Sequence, residues 1–395
     1  MKDRGKLISY ITLLCFLAGA GLGFLRPELS GFFSSLGGVY VSLLKYLALP
    51  AVVLSVFHAA LQSGRGATGT LIRALAVFVA LFAVSFLLSA VPYALFKPGK
   101  RFAPFGGAAW AGQSAQISLG SILENIFSPQ VKRSVNNLFF PAILLSLAAG
   151  RMAGRFRSEK LLKGTAALEK LFSTLLSWLK YITPLGVFAL MAAATGQFGL
   201  DALLTSGAYV GWAYGGCLLV LFFVMMLPLW LLWGVTPWQY LSRMGRLFLT
   251  SLSTCSSAAT LPETMRTCRE AFGVPEGIVR IAAPLGSTVH MCGGAVSFCL
   301  LGLFCLQMTG RPLTVGTFLL MLLLAEGLNM AAPGIPGGGI VLGATFLSLL
   351  GLEGCELFLG MYAGIYRLLD MAYTSLNVAG DVTANKLIEG WEKTA

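Results

Sequence analysis

Residues 71–96 read LIRALAVFVALFAVSFLLSAVPYALF and hold one charged side chain, Arg73. The run exceeds the roughly 20 apolar residues a helix needs to cross a bilayer core. It lacks the polar–apolar alternation of a barrel strand, so it reads as a transmembrane helix. Leu7 to Leu25, Gly38 to Leu61 and Leu203 to Val235 are stretches of the same kind. Backbone polar groups in hydrocarbon must find partners within their own segment, and an all-α integral membrane fold follows.

The composition agrees. Of 395 residues 56% are hydrophobic and 11% charged, against about 25% charged in an ordinary soluble domain. A net charge of +12 on a soluble chain would suggest nucleic acid, but here the basic residues sit at helix ends and in short loops. No nucleic-acid partner is expected. Arg151, Arg155, Arg157, Lys160 and Lys163 form the densest group. With Lys2, Arg4, Lys6, Arg65 and Arg73 they mark cytoplasmic loops under the positive-inside rule and place the N-terminus inside. Lys97, Lys100 and Arg101 run against that trend.

The first span follows three basic residues and contains Ala18-Gly19-Ala20, as a secretory signal could. It is longer than a signal core of about 7 to 15 residues, and a retained helix is expected. Eight cysteines lie mostly inside apolar runs without CxxC spacing, as small packing residues rather than a zinc site or disulfide framework. No phosphate-loop motif occurs, and His58 and His290 have no HExxH or GxSxG partner motif, so neither ATP hydrolysis nor any other enzymatic activity is expected.

Two apolar stretches of the second half are broken where a membrane helix should be most uniform. Gln239 to Glu270 is interrupted by Ser251-Leu252-Ser253-Thr254-Cys255-Ser256-Ser257, and Thr314 to Gly351 by Pro333-Gly334-Ile335-Pro336-Gly337-Gly338-Gly339. Each is too long for one crossing and reads as a re-entrant hairpin, the alternative being a Pro-kinked helix. Irregular backbone at that depth is tolerated where it is buried in protein or lines a wet cavity, and paired broken segments point to a transporter's binding site. The last helix, about Leu357 to Ile388, aligns Asp370, Thr374, Asn377 and Asp381 along one face, at offsets that keep helical register. An ionisable side chain inside a membrane span costs about 2.5 to 3.5 kcal/mol and marks a functional site by default. Asp370 stands near mid-span; Asp381 is closer to the helix end, where solvation is the competing reading.

Four motifs recur together: Thr254-Cys255-Ser256-Ser257-Ala258-Ala259-Thr260-Leu261-Pro262, Pro284-Leu285-Gly286-Ser287-Thr288-Val289-His290-Met291-Cys292-Gly293, Gly334-Ile335-Pro336-Gly337, and Asp370 with Asn377-Val378-Ala379-Gly380-Asp381. In order and spacing they resemble the glutamate-transporter family, the dicarboxylate/amino acid:cation symporters. Lys97-Pro98 and Ile182-Thr183-Pro184-Leu185-Gly186-Val187-Phe188-Ala189 extend the likeness over nearly the whole chain. The resemblance implies eight transmembrane helices plus two re-entrant hairpins, built as inverted repeats, in a homotrimer working as an elevator. Scaffold helices 1–2 would occupy residues 1–64 and scaffold helices 4–5 residues 101–198. The transport domain would take helix 3 at residues 65–100 and helices 6–8 with both hairpins at residues 199–390. The bacterial inner membrane is the implied location.

By the same resemblance Asp370 would hold a substrate ammonium, while Asn377, Thr374 and backbone N–H groups near Ser256 and Ser257 would hold its α-carboxylate. Gly334 to Gly339, with Ile335 and Gly339 at the ligand, would form a flexible lid. The departures set the substrate. Where members carrying acidic substrates place an arginine to clamp the second carboxylate, this chain has Tyr373, and the assisting threonine is Gly294. Tyrosine cannot replace a bidentate guanidinium. Sodium ligation is eroded too: His290, Cys292 and Tyr366 replace oxygen-bearing residues, and thiol or imidazole suits a hard cation poorly. Asp381, with the backbone near Gly286 and with Thr288 and Asn377 beside it, is the one place left for Na⁺. Arg367 is a candidate tethered charge in place of an ion, or an interfacial arginine. His290 facing Asp381 is a candidate proton site.

The reading is a secondary active transporter of neutral, zwitterionic amino acids, with sodium coupling reduced or lost and protons as the candidate replacement. No cofactor is expected beyond the coupling ion, and the lipid bilayer and a small amino acid are the expected partners. The alternatives are a sodium-coupled acidic amino acid or dicarboxylate symporter, and an uncoupled channel or sensor on the same fold.

Overall fold

The computed structural model describes residues 2–40, 69–101, 159–330, 338–352 and 355–394, with isolated positions 43, 54, 149 and 152, and no side chain before Ile11. The expected span Gly38 to Leu61 beyond Tyr40, apart from positions 43 and 54, the connection from Lys97 to Asn136 beyond Arg101, the basic cluster before Glu159 apart from position 152, and the second hairpin tip, Ile335 included, lie outside the described residues.

The described elements are helices. α1 (Lys2–Leu25) leads through a 3₁₀ turn (Pro27–Leu29) into helical residues 30–40. α2 (Gly69–Phe96), the run quoted at the outset, continues through Pro92. α3 (Glu159–Phe198) is followed by the rod α4 (Leu200–Trp233), which contains a π-helical segment at Leu221–Met226. Among the described residues four helices are long and apolar enough to cross a membrane: Gly69–Phe96, Tyr181–Phe198, Leu200–Trp233 and Glu276–Met308.

The broken stretches are helix pairs. α5 (Pro237–Thr254) starts on a capping box, in which Thr236 Oγ1 accepts the Gln239 N–H and the Gln239 side chain accepts the Thr236 N–H, reciprocal bonds that satisfy two orphan donors. It ends where Cys255 turns left-handed, at φ 47°. Ser256 then caps α6 (Ser257–Arg266), its Oγ accepting the Ala259 N–H at 3.2 Å. The serine-rich interruption is therefore a helix stop followed at once by a helix start. α7 (Glu276–Val289) and α8 (Cys292–Met308) form one long span split at His290, which is extended, and Met291, which is also non-helical. α9 (Val315–Met330) and α10 (Gly338–Leu349) flank the second interruption, and α11 (Glu356–Thr394) closes the chain.

α7 and α8 are the most enclosed of the four spans, with 89% of an 18-residue apolar stretch buried, against 39% in α4. Around α8 an aromatic knot joins Tyr209 to Phe304, Phe358 and Tyr362 at centroid distances of 5.2 to 5.8 Å. Large apolar side chains of the outer helices, such as Leu14, Leu25, Phe32, Leu95 and Leu231, remain exposed, as a lipid-facing surface requires. α1 packs along α3, and α11 touches α2, α3, α4, α5, α7 and α8, so the helix with the aligned polar face sits at the centre.

Candidate functional site

Breaking α7–α8 in an apolar interior frees backbone groups that need partners. Side chains supply them. Asn329 Nδ2 donates to the Val289 carbonyl at 3.3 Å, and Asn377 Oδ1 accepts the Gly293 N–H at 2.7 Å. The His290 N–H returns to the Gly286 carbonyl at 2.9 Å. The break is thus fastened to α9 on one side and to α11 on the other.

In front of it lies a cavity of about 60 Å³ lined by Cys255, Ser256 and Ser257 from the first pair, Met291, Gly294, Ser297 and Phe298 at the break, Asn329, Gly339 and Leu342 from the second pair, and Tyr366, Asp370, Tyr373, Thr374 and Asn377 from α11. At about 10–15 Å³ per water-sized probe, it has room for roughly half a dozen non-hydrogen atoms. Asp370 is the one charged side chain among these lining residues. It is buried and accepts from Thr374 Oγ1 at 3.3 Å. The hydroxyl of buried Tyr373 has no hydrogen-bond partner among the described residues.

Two glycines are close-approach positions. A Cβ on Gly294 would stand 2.7 Å from Asn329 Oδ1, and one on Gly339 would strike the Tyr366 hydroxyl. The space a threonine would take at 294 is occupied by the Asn329 amide.

A second cluster is sealed behind the cavity. His290 Nδ1 lies 3.0 Å from Asp381 Oδ1, and Nε2 lies 3.1 Å from Cys292 Sγ. The ring stacks on Phe78 at 4.6 Å, and both His290 and Asp381 are buried. Asp381 Oδ2 is buried without a partner, and Gly286 leaves room for the Asp381 carboxylate. Na⁺ needs several oxygen donors. Here imidazole takes one Asp381 oxygen and a thiol and ring replace others, so the residues present fit sodium poorly. Among the described residues no group of three His, Cys, Asp or Glu side chains, this cluster included, is arranged so that it could hold a metal ion.

Of the residues picked out from sequence, Ser256, Ser257, Gly294, Gly339, Asp370, Tyr373, Thr374 and Asn377 come together at the cavity, and Gly286, His290 and Asp381 at the buried cluster. Thr288 does not join them; it is exposed and its Oγ1 donates to the Leu285 carbonyl. Arg367 does not either. Its Nη2 donates to the Ser253 carbonyl at 3.1 Å, at the C-terminus of α5, outside the cavity wall. Asn329, Ser297, Phe298, Met291 and Leu342 escaped the sequence reading; an asparagine four residues before a proline-glycine break was the one signal available.

A small cavity with one buried carboxylate, walled by two helix pairs, a split span and the last helix of a multi-pass membrane protein, is the kind of site a secondary transporter uses. The chain belongs to the sodium:dicarboxylate symporter family, whose model matches residues 8–391. It is 27% identical to the proton/glutamate-aspartate symporter of Bacillus subtilis (strain 168) over 408 residues, 98% of this chain and 95% of the relative. The neutral amino acid transporter B(0) of Homo sapiens is also 27% identical, over 98% of this chain and 81% of its own length. The C4-dicarboxylate transport protein 1 of Polaromonas naphthalenivorans (strain CJ2) is 24% identical, over 97% of this chain and 87% of its own length. The family is one of transporters, not enzymes.

Proposed function

We propose that this protein carries small neutral, zwitterionic amino acids across the bacterial inner membrane without sodium as an obligatory partner, protons being the driving ion. The observation that carries the substrate class is Asp370 standing as the one charge on the described cavity wall, with Tyr373 and Gly294 where a carboxylate clamp would be. An α-ammonium has a counter-charge there; a second carboxylate has none, and an unpaired buried charge is heavily penalised. The Nδ2 of Asn377 and the α6 N-terminus supply donors for the α-carboxylate, while the Thr374 hydroxyl donates to Asp370.

For the coupling, an imidazolium at His290 bonded to Asp381 supplies the positive charge that an ion would otherwise bring. A homotrimer with a scaffold of helices 1, 2, 4 and 5, an inverted-repeat transport domain and elevator motion follow from family membership as part of the same proposal. So do a cytoplasmic N-terminus and a lid formed by the second hairpin tip.

A second reading, a symporter of acidic amino acids or dicarboxylates, is favoured by the names of two bacterial relatives. Uptake of L-alanine, L-serine, L-aspartate and succinate into proteoliposomes, each under a sodium or a proton gradient, separates the readings. Neutral amino acids should be taken up, and should persist when sodium is replaced by choline. Preference for aspartate or succinate over every neutral amino acid overturns the substrate class. A strict sodium requirement with pH-independent accumulation overturns the coupling, and flux that no gradient concentrates leaves an uncoupled channel.

A further inference from the structure

α9 reads VGTFLLMLLLAEGLNM, with Glu326 as its one ionisable residue. The Oε2 atom of Glu326 is buried and has no hydrogen-bond partner among the described residues. Asn329, one turn further on and therefore on the same helical side, lines the substrate cavity and holds the Val289 carbonyl. A carboxyl group in an apolar hairpin helix is thus one turn from the ligand, yet outside the cavity wall.

The elements packed against α9 are α2, α7, α8 and α10. α10 has no ionisable side chain, and α8 has three cysteines, Cys292, Cys299 and Cys305. α2 has Tyr93 and Arg73, the latter within 3.6 Å of Glu392. α7 has Glu276 and Arg280, bonded to each other at its exposed start. His290, at the α7–α8 break, lies within electrostatic reach of Glu326, but its own ring nitrogens face Asp381 and Cys292. Among the described residues Glu326 thus brings a buried carboxyl oxygen, Oε2, that none of these groups bonds.

We propose that Glu326 carries the coupling proton, binding one proton while its carboxyl is buried in the protein and releasing it when α9 moves and the carboxyl is hydrated. Burial disfavours the charged form of a carboxyl group and hydration favours it, so a carboxyl on a helix that alternates between the two takes up and gives up H⁺. Because Asn329 is on the same helix, movements of α9 that expose Glu326 also move the cavity wall. The inference rests on the proton-driven reading above and assigns its ion to a residue other than His290.

The test uses the full chain in proteoliposomes, as wild type, Glu326→Gln, Glu326→Asp and His290→Gln. L-alanine, L-serine and L-aspartate serve as probes, so the identity of the substrate is decided in the same wild-type experiment and independently of the proton site. Expected is loss of accumulation under a proton gradient in Glu326→Gln, with any remaining exchange independent of pH. Glu326→Asp should keep the dependence with a displaced midpoint. Accumulation by Glu326→Gln equal to wild type, or its loss in His290→Gln alone, overturns the assignment. Should Glu326→Gln not transport at all, substrate-linked proton uptake measured in weakly buffered detergent with wild type and Glu326→Asp decides, and its absence from wild type overturns the proposal.

Discussion

Asn377 Oδ1 accepts the Gly293 N–H at 2.7 Å, which joins the middle of α11 to the first turn of α8 and fixes how the amide is turned. With its oxygen occupied, Asn377 has its Nδ2 donors to offer to the cavity it lines. One residue thus closes the backbone at the helix break and, in the proposed binding mode, presents a donor to the substrate carboxylate. Asn377→Asp, which replaces the donor by an acceptor, should lose binding more severely than Asn377→Ser in a titration of detergent-solubilised protein, and equal losses would remove the donor role.

Asp370→Asn should abolish measurable amino-acid binding. Truncating one partner of a buried charge pair costs about 2–5 kcal/mol, a weakening of roughly thirtyfold or more. Calorimetric titration with L-alanine and L-serine checks this, and retention of wild-type affinity excludes Asp370 as the ammonium partner.

Tyr373→Arg, with Gly294 kept because Asn329 fills the space beside it, should shift preference toward L-aspartate, because a guanidinium supplies the bidentate carboxylate clamp that the cavity wall lacks. Competition between L-aspartate and L-serine measures the shift. No gain in aspartate affinity would show that side-chain selection lies elsewhere.

Breaking the buried His290–Asp381 pair should destabilise the fold by about 3–5 kcal/mol, whereas replacing both members with apolar residues can be far cheaper. His290→Leu should therefore melt well below wild type and His290→Leu with Asp381→Leu should recover much of the loss. Thermal melts in one detergent compare them; equal melting of single variant and wild type contradicts the pairing.

Gly339→Val should weaken substrate binding, since the added atoms meet the Tyr366 hydroxyl and ring beside Asp370. Overpacking of this sort costs typically about 1–3 kcal/mol. Tyr366→Phe should restore part of the affinity in the double variant, and an unaffected single variant would place Gly339 away from the occupied cavity.

The helix break at Cys255 was legible because serines and threonines that compete for backbone bonds interrupt an apolar run, and the polar face of α11 because its residues keep helical spacing. The split at His290 and Met291 left little mark beyond the histidine itself, since the residues around it are mostly small or apolar. Asn329 and Phe78 were missed for another reason: their roles depend on which helix they meet, and one asparagine or phenylalanine in an apolar run carries no sign of its neighbour. The π-helical turn at Leu221–Met226 likewise left no mark, as its residues are ordinary apolar ones.

The pairing of His290 with Asp381 has an electrical consequence. A positive charge on the chain cannot be left behind on one side of the membrane, whereas a bound metal ion is delivered with the cargo. If the moving part carries His290 as its cation and the cargo is a zwitterion, loaded and empty journeys shift the same charge and membrane voltage does no net work on the cargo. One elementary charge across 100 mV is worth about 2.3 kcal/mol, which becomes available only when a proton rides along. The steady current accompanying uptake, measured on a solid-supported membrane, would then count protons and nothing else.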